Sequence, residues 1–211
     1  MLYFEREDDG AFRAPADYPE RALATVSTHD LPPLAGFWAG HDLLLRAEFD
    51  LFPSDELRIT QVEQRGADRG ALLSALQREG LLPPDAASDP GAVPHLDGAL
   101  RRAIHRYVAR APSRVVMVQP EDVLGQREQV NLPGTTDEHP NWRRRYPLCV
   151  DEFATDPEFR ATADALAAEG RGRPARGAGA AAARGQAAPR ATYRLQLGPG
   201  LTLRDAAAPV P

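Results

Sequence analysis

The chain has 211 residues and a mass of 22.9 kDa; 43% of its residues are hydrophobic and 26% are charged. These values are typical of a globular protein that can bury one sizeable core. No apolar run approaches the roughly 20 residues of a membrane-spanning helix, so we expect no membrane insertion. The single cysteine, Cys149, excludes a disulfide framework and a cysteine-based metal cluster, and makes the reducing cytoplasm the expected location.

The net charge of −5 conceals an uneven distribution. Residues 170–211 hold seven arginines and one aspartate, which leaves 18 basic and 29 acidic groups, a net charge of −11, for residues 1–169. An acidic body repels phosphate backbones, so we do not expect the main domain to bind nucleic acid.

Composition divides the chain into three regions. Residues 1–169 are varied and globular, whereas residues 170–190 are almost entirely Gly, Ala, Arg and Pro and predict a disordered linker. The alternative is that this basic stretch tethers an anionic partner. Residues 191–211 regain the alternation of a strand but are too short to fold alone, so they predict the start of a truncated second domain.

Within residues 1–169, short strands and helices are predicted to alternate. Residues 1–6 (MLYFER) and 22–28 (ALATVST) are apolar runs bounded by turn residues, which favours strands. Asp68 is placed to cap a helix over residues 69–79 that ends before Gly80, and its apolar face is Leu72, Leu73 and Leu76.

Asp97 is placed to cap a second helix, and residues 114–119 (RVVMVQ) then predict the clearest strand. A continuous apolar run of this kind is typical of a strand buried on both faces of a parallel sheet. The helical face is Leu100, Ile104, Tyr107 and Val108. Strands separated by helices indicate an α/β fold, and three strands are too few to close a barrel of eight.

Thr28-His29-Asp30 directly follows the second predicted strand. In α/β barrels, polar residues at the carboxyl end of a strand are where catalytic groups lie, so His29 and Asp30 are candidate site residues. The alternative is that Asp30 only caps a helix opened by Pro32 and Pro33.

Glu121 and Asp122 stand just past the third predicted strand. Adjacent parallel strands lie about 4.8 Å apart, so residues alone allow a glycosidase-like pair between Asp30 and Asp122. The alternative is that Glu121 and Asp122 begin a helix and complement its dipole.

Residues 131–135 (NLPGT) and 141–145 (NWRRR) combine amides, a Pro-Gly turn, a tryptophan and a basic cluster. Amides hydrogen-bond hydroxyls and aromatic faces stack on pyranose rings, which suits a sugar-binding loop. The alternative is a type II turn followed by a solvated charge run. No glycine-rich phosphate loop occurs, and the five histidines lack metal-ligand spacing.

Two of these motifs resemble one known family. Residues 27–42 (STHDLPPLAGFWAGHD) are similar to the segment around the third catalytic carboxylate of amylomaltases, the bacterial 4-α-glucanotransferases of glycoside hydrolase family 77. Residues 115–125 (VVMVQPEDVLG) and 129–145 (QVNLPGTTDEHPNWRRR) resemble that family's carboxyl-terminal signature. The helical stretch between them fits the family's layout, and the resemblance covers residues 1–169.

The resemblance implies the last part of a (β/α)8 TIM barrel, with residues 1–6, 22–28 and 114–119 as its sixth, seventh and eighth strands. It implies that Asp30 holds sugar hydroxyls and stabilises the oxocarbenium-like transition state. His29 then matches a sugar-binding histidine, and Asn131 a substrate-contacting asparagine.

The same resemblance implies α-1,4-glucans and maltooligosaccharides as ligands and no metal or organic cofactor. The family's nucleophile and acid/base lie on earlier strands and match no position here, so we expect the chain alone to be inactive. This also counts against an Asp30–Asp122 couple. The alternative is a non-catalytic glucan-binding module or an inactive remnant of a fusion, because residues 191–211 resemble the opening of maltooligosyltrehalose synthase.

Overall fold

The computed structural model of the chain describes residues 1–172. Its α-helices are Leu34–Ala39 (α1), His41–Glu48 (α2), Asp55–Arg78 (α3), Gly98–Ala109 (α4), Pro120–Leu124 (α5) and Pro157–Ala168 (α6). Short 3-10 helices span Leu2–Phe4, Pro15–Asp17, Pro90–Ala92 and Val150–Glu152, and the strands are Leu23–Thr25 (β1) and Val115–Met117 (β2). Most of the predicted linker and all of the predicted second domain lie outside the described residues, so the division into three regions stays a prediction.

The two strands form a parallel sheet in which Leu23 pairs with Val115 and Thr25 with Met117. Helices α1 to α4 lie between them in the chain, as a parallel crossover requires. The α/β class is therefore confirmed, whereas the prediction of three strands is wrong, because the described residues contain two.

The predicted first strand is instead a turn of 3-10 helix. Leu2 and Tyr3 are both buried, although adjacent residues of a strand would point to opposite faces. Arg6 then makes an isolated antiparallel bridge with Phe12, and its guanidinium lies 3.4 Å from the centre of the Phe12 ring. The short apolar run is explained by burial of a tight turn rather than by a sheet.

Strand β2 is not buried on both faces, contrary to the sequence prediction. Val115 and Met117 are 51% and 50% exposed, and Leu23 of β1 lies on the same open face. The opposite face, with Ala24 and Val116, packs against the hydrophobic core.

Helix α3 begins well before the predicted cap at Asp68. The Ser54 hydroxyl accepts a hydrogen bond from the Leu57 N–H at 3.2 Å and so caps the helix. Asp68 lies inside α3, where its carboxylate accepts a hydrogen bond from Arg6 at 2.9 Å. The predicted end is confirmed, since Gly80 follows the helix in the left-handed region with φ of 64°.

The cap at Asp97 is confirmed, because its carboxylate accepts the Leu100 N–H at 2.7 Å. Helix α4 is the centre of the core and packs against α6, α3 and β1. The largest fully buried side chains include Trp38, Tyr107, Phe12, Leu72, Leu73, Leu76, Leu100 and Ile104. Across residues 1–172, none of the helices has the length and apolar character to cross a membrane.

Candidate functional site

The carboxyl ends of β1 and β2 lie at the same edge of the sheet because the strands are parallel. A side-chain hydrogen bond joins the two ends: the Gln119 amide donates to the Ser27 hydroxyl at 2.5 Å. The chain then leaves β1 through His29 and Asp30, and leaves β2 through α5. This edge therefore carries the residues that the sequence analysis selected.

His29, Asp30 and Asn131 lie together, although Asp30 and Asn131 are 101 positions apart in the chain. The Asn131 side-chain amide donates to Asp30 Oδ1 at 2.7 Å, and the Asn131 backbone N–H donates to the His29 carbonyl at 3.2 Å. His29 Nε2 lies 3.3 Å from Asp30 Oδ2. Both His29 and Asp30 are about half exposed, so the cluster faces solvent.

Gln129, the first residue of the 129–145 motif, holds this arrangement in place, a role that no sequence pattern indicated. Its buried side-chain amide donates to the backbone carbonyls of Asp30, at 3.1 Å, and of Asn131, at 3.0 Å. The backbone carbonyl oxygen of Gln129 lies 3.0 Å from Nε2 of the buried His139. One side chain therefore ties the two segments of the cluster together.

The loop after Asn131 contains the expected turn. The Thr135 N–H donates to the Leu132 carbonyl at 3.2 Å, and Gly134 has φ of 92°, as position three of a type II turn requires. The Asn141 side chain makes its hydrogen bonds within the loop itself. It accepts the Leu132 N–H at 2.8 Å and donates to the Thr135 hydroxyl at 2.9 Å.

Asp30 does not cap a helix, because α1 begins at Leu34 and is capped by a distant residue. The Leu34 N–H donates to Asp122 Oδ1 at 2.6 Å. Asp122 and Glu121 do lie in the first turn of α5, as one alternative predicted. Asp122 is almost fully buried, and burial raises its pKa to about 7. It therefore serves the fold and does not form an open carboxylate pair with Asp30.

A cleft of about 430 Å³ opens beside the cluster. Its walls include His29, Gln119, Glu121, Glu128, Trp142 and Arg144. The His29 and Trp142 rings lie 4.8 Å apart between centres. In the same cleft the Tyr146 hydroxyl donates to Glu121 at 2.9 Å, and burial, followed by the neighbouring Glu121, raises the pKa of Tyr146 to about 12.

Two of the three arginines in the basic cluster at residues 143–145 lie near carboxylates. Arg144 pairs with Glu128 at 2.8 Å, and Arg143 lies 3.8 Å from Asp137. In the part of the chain that the structure describes, no group of three or more His, Cys, Asp or Glu side chains is arranged to hold a metal ion. The site thus offers hydroxyl-binding amides and carboxylates beside aromatic surface.

The chain matches known proteins over most of its described length. Residues 1–150 match the model of glycoside hydrolase family 77, described as 4-alpha-glucanotransferase. A 4-alpha-glucanotransferase of Haemophilus influenzae is 39% identical over 145 residues, and one of Mycobacterium bovis is 36% identical over 178 residues. These alignments cover 69% and 80% of this chain.

A solved structure, the amylomaltase from Corynebacterium glutamicum, is similar with a TM-score of 0.64 and 27% identity over 78% of this chain. The chain spans only 20% and 23% of the two curated relatives and 24% of the solved protein. The matched residues contain both motifs and all three clustered side chains. On this family match and these identities, the chain belongs to the 4-alpha-glucanotransferase family, glycoside hydrolase family 77.

Proposed function

We propose that this chain supplies a glucan-binding part of a 4-α-glucanotransferase, with Asp30, His29 and Asn131 as its substrate-contacting residues. The observation that supports this most is the meeting of the three side chains beside an open cleft, with Asn131 2.7 Å from Asp30. The proposed ligands are α-1,4-glucans and maltooligosaccharides. The proposed location remains the cytoplasm.

The complete reaction would transfer an α-1,4-glucan segment to the 4-hydroxyl of an acceptor and retain the anomeric configuration. Such a transfer passes through an oxocarbenium-like transition state and uses two carboxylates, one as nucleophile and one as acid/base. Asp30 has a third role in this proposal: its carboxylate accepts hydrogen bonds from sugar hydroxyls and stabilises the positive charge that develops on the ring. His29 and Asn131 would hold that carboxylate and the sugar in position relative to each other.

Asp30 is suited to this role because both of its oxygens already have oriented partners. Asn131 holds Oδ1 and His29 lies against Oδ2, yet a carboxylate accepts about four hydrogen bonds, so capacity for ligand hydroxyls remains. Because Gln129 also fixes the Asp30 backbone, little reorganisation is needed when a sugar binds.

Calorimetric titration of the 211-residue chain with maltoheptaose tests the proposal. We expect saturable binding that Asp30→Ala and Asn131→Ala weaken, and that Asp8→Asn leaves unchanged, since Asp8 is an exposed aspartate in another part of the chain. Circular dichroism of each variant checks that it is folded. A folded wild-type chain that releases no heat with maltoheptaose would overturn the assignment.

Catalysis by the chain alone is a separate matter. By family likeness, neither the nucleophile nor the acid/base matches a position in residues 1–211, so we expect no disproportionation of maltotriose. Glucose release that Asp30→Ala abolishes would contradict this expectation.

A second domain is proposed on sequence likeness only. Residues 191–211 are similar to the opening of maltooligosyltrehalose synthases and lie outside the described residues. Reading the genomic frame on both sides of this coding sequence tests both likenesses: in-frame barrel strands upstream would restore a whole glucanotransferase, and an in-frame synthase downstream would support a fusion.

A further inference from the structure

Trp142 occupies an unusual position beside the cluster. Its side chain is 62% exposed, and its backbone φ is 61°, in the left-handed region that a bulky residue adopts only under constraint. The constraint is visible, because the Trp142 N–H donates to the Val130 carbonyl at 3.0 Å and the preceding Asn141 is fixed by its own side-chain hydrogen bonds. The fold thus holds a large aromatic ring out in solvent without burying it.

The Trp142 ring lies beside His29 and lines the cleft. The two ring centres are 4.8 Å apart, and the angle between the ring planes is 50°. Amide and carboxylate groups of Gln119, Gln126 and Glu128 line the same cleft. An aromatic face bordered by hydrogen-bonding groups suits a pyranose, whose C–H face is apolar and whose rim carries hydroxyls.

Charge argues against an anionic ligand at this place. Two arginines line the cleft: Arg144 is paired with Glu128 at 2.8 Å, and Arg145 makes no ion pair within the described residues. The cleft itself also contains the carboxyl groups of Glu121 and Glu128. A neutral, hydroxyl-rich ligand fits this balance better than a phosphorylated one.

We propose that Trp142 is a stacking platform for a second glucose ring, next to the ring that His29 and Asp30 contact. This inference rests on the proposed function and extends it, because it makes affinity depend on the length of the glucan. A ligand with several rings engages both the Asp30 cluster and Trp142, whereas free glucose engages one of them.

Calorimetry with maltoheptaose and with glucose on the full 211-residue chain tests this. We expect Trp142→Ala to bind maltoheptaose roughly threefold to tenfold more weakly, the effect of one lost aromatic stacking contact. Trp142→Phe keeps an aromatic face and should stay within about twofold to threefold of wild type by the same reasoning. Phe4→Ala is the matched control, because Phe4 is equally exposed, at 64%, and does not line this cleft.

Fluorescence gives a readout that does not depend on a destabilising variant. The other tryptophan, Trp38, is 1% exposed, so a change in emission on adding maltoheptaose, together with protection from iodide quenching, reports on Trp142. Trp142→Phe should abolish both effects while binding persists.

The outcomes separate the two proposals. No heat from the folded wild-type chain overturns the proposed function and this inference together. Binding that Asp30→Ala weakens but Trp142→Ala leaves unchanged, with no protection of Trp142 from iodide, overturns the platform alone.

Discussion

Replacing Asp122 by Asn removes a charge that the fold buries, so we expect the variant to lose part of the pH dependence of the stability of the wild-type chain. Asp122 Oδ1 accepts the Leu34 N–H at 2.6 Å, whereas Oδ2 is buried and has no hydrogen-bond partner in the described residues. Burial is the main cause of its raised pKa, and the charge of the adjacent Glu121 adds to it. The Asn variant keeps an acceptor for Leu34 and cannot ionise.

The magnitude follows from the two pKa values. An Asp has an ordinary pKa of 3.8, and that of Asp122 in the fold is about 7. Between these values the folded state holds a proton that the unfolded chain has released, so stability falls as the pH rises from about 4 to about 7. The total loss is ~4 kcal/mol, of which roughly 2–3 kcal/mol falls between pH 5 and pH 8.

Urea unfolding of both chains at half-unit steps from pH 5 to pH 8 measures this effect. The free energy of unfolding of wild type minus that of Asp122→Asn should fall by roughly 2–3 kcal/mol over this range. The other ionisable groups are common to both chains, so their contributions cancel in the difference. Asp122→Ala, which leaves the Leu34 N–H without an acceptor, should be less stable than Asp122→Asn at every pH by about 1–3 kcal/mol.

A difference between wild type and Asp122→Asn that stays constant from pH 5 to pH 8 would refute the reasoning. It would mean that Asp122 is ionised across this range at no cost, and therefore that it is not buried. Asp8→Asn is again the control, since the charge of an exposed aspartate should change nothing.

Three further predictions concern residues around the site and in the core. Burial lowers the pKa of His105 to about 4, so stability should fall by ~3 kcal/mol as the pH drops from 6.5 to 4, and His105→Leu should remove that slope in urea titrations. A Cβ at Gly36 would meet the Arg127 carbonyl oxygen, so Gly36→Ala should cost about 1–3 kcal/mol in thermal unfolding, unlike Gly70→Ala, where a Cβ has room. Gln129→Met removes two buried hydrogen bonds and should weaken maltoheptaose binding in calorimetry while lowering stability by about 1–3 kcal/mol.

The features that were predicted correctly from the sequence depend on patterns within a single helix. The cap at Asp97 and the face of Leu72, Leu73 and Leu76 depend on spacing within one helix, and both are present. The start of α3 was missed because residues 55–67 are mostly exposed and show no apolar face. Its first turn is instead capped by Ser54, and Arg58 and Asp55 form a surface pair 3.2 Å apart.

The features that could not be predicted depend on contacts between segments that are far apart in the chain. The strand ends and the family motifs placed His29, Asp30 and Asn131 on one site, and the structure brings them together. The structural roles of Gln129, which holds the site, and of Asp122, which holds the start of α1, could not be found in the same way. Asp122 binds the backbone of Leu34, 88 positions away, and Gln129 binds that of Asp30, 99 positions away, and no local pattern encodes either partnership.

The open side of the sheet has a practical consequence for anyone who purifies this polypeptide. Leu23, Val115 and Met117 form an exposed apolar stripe across the two strands, and in the described residues neither outer edge of the sheet is paired with a third strand. Concentrated samples should therefore self-associate, and light scattering should rise with protein concentration. Replacing Val115 with Thr keeps a β-branched side chain while adding a hydroxyl, which makes it the first change to try for a well-behaved sample.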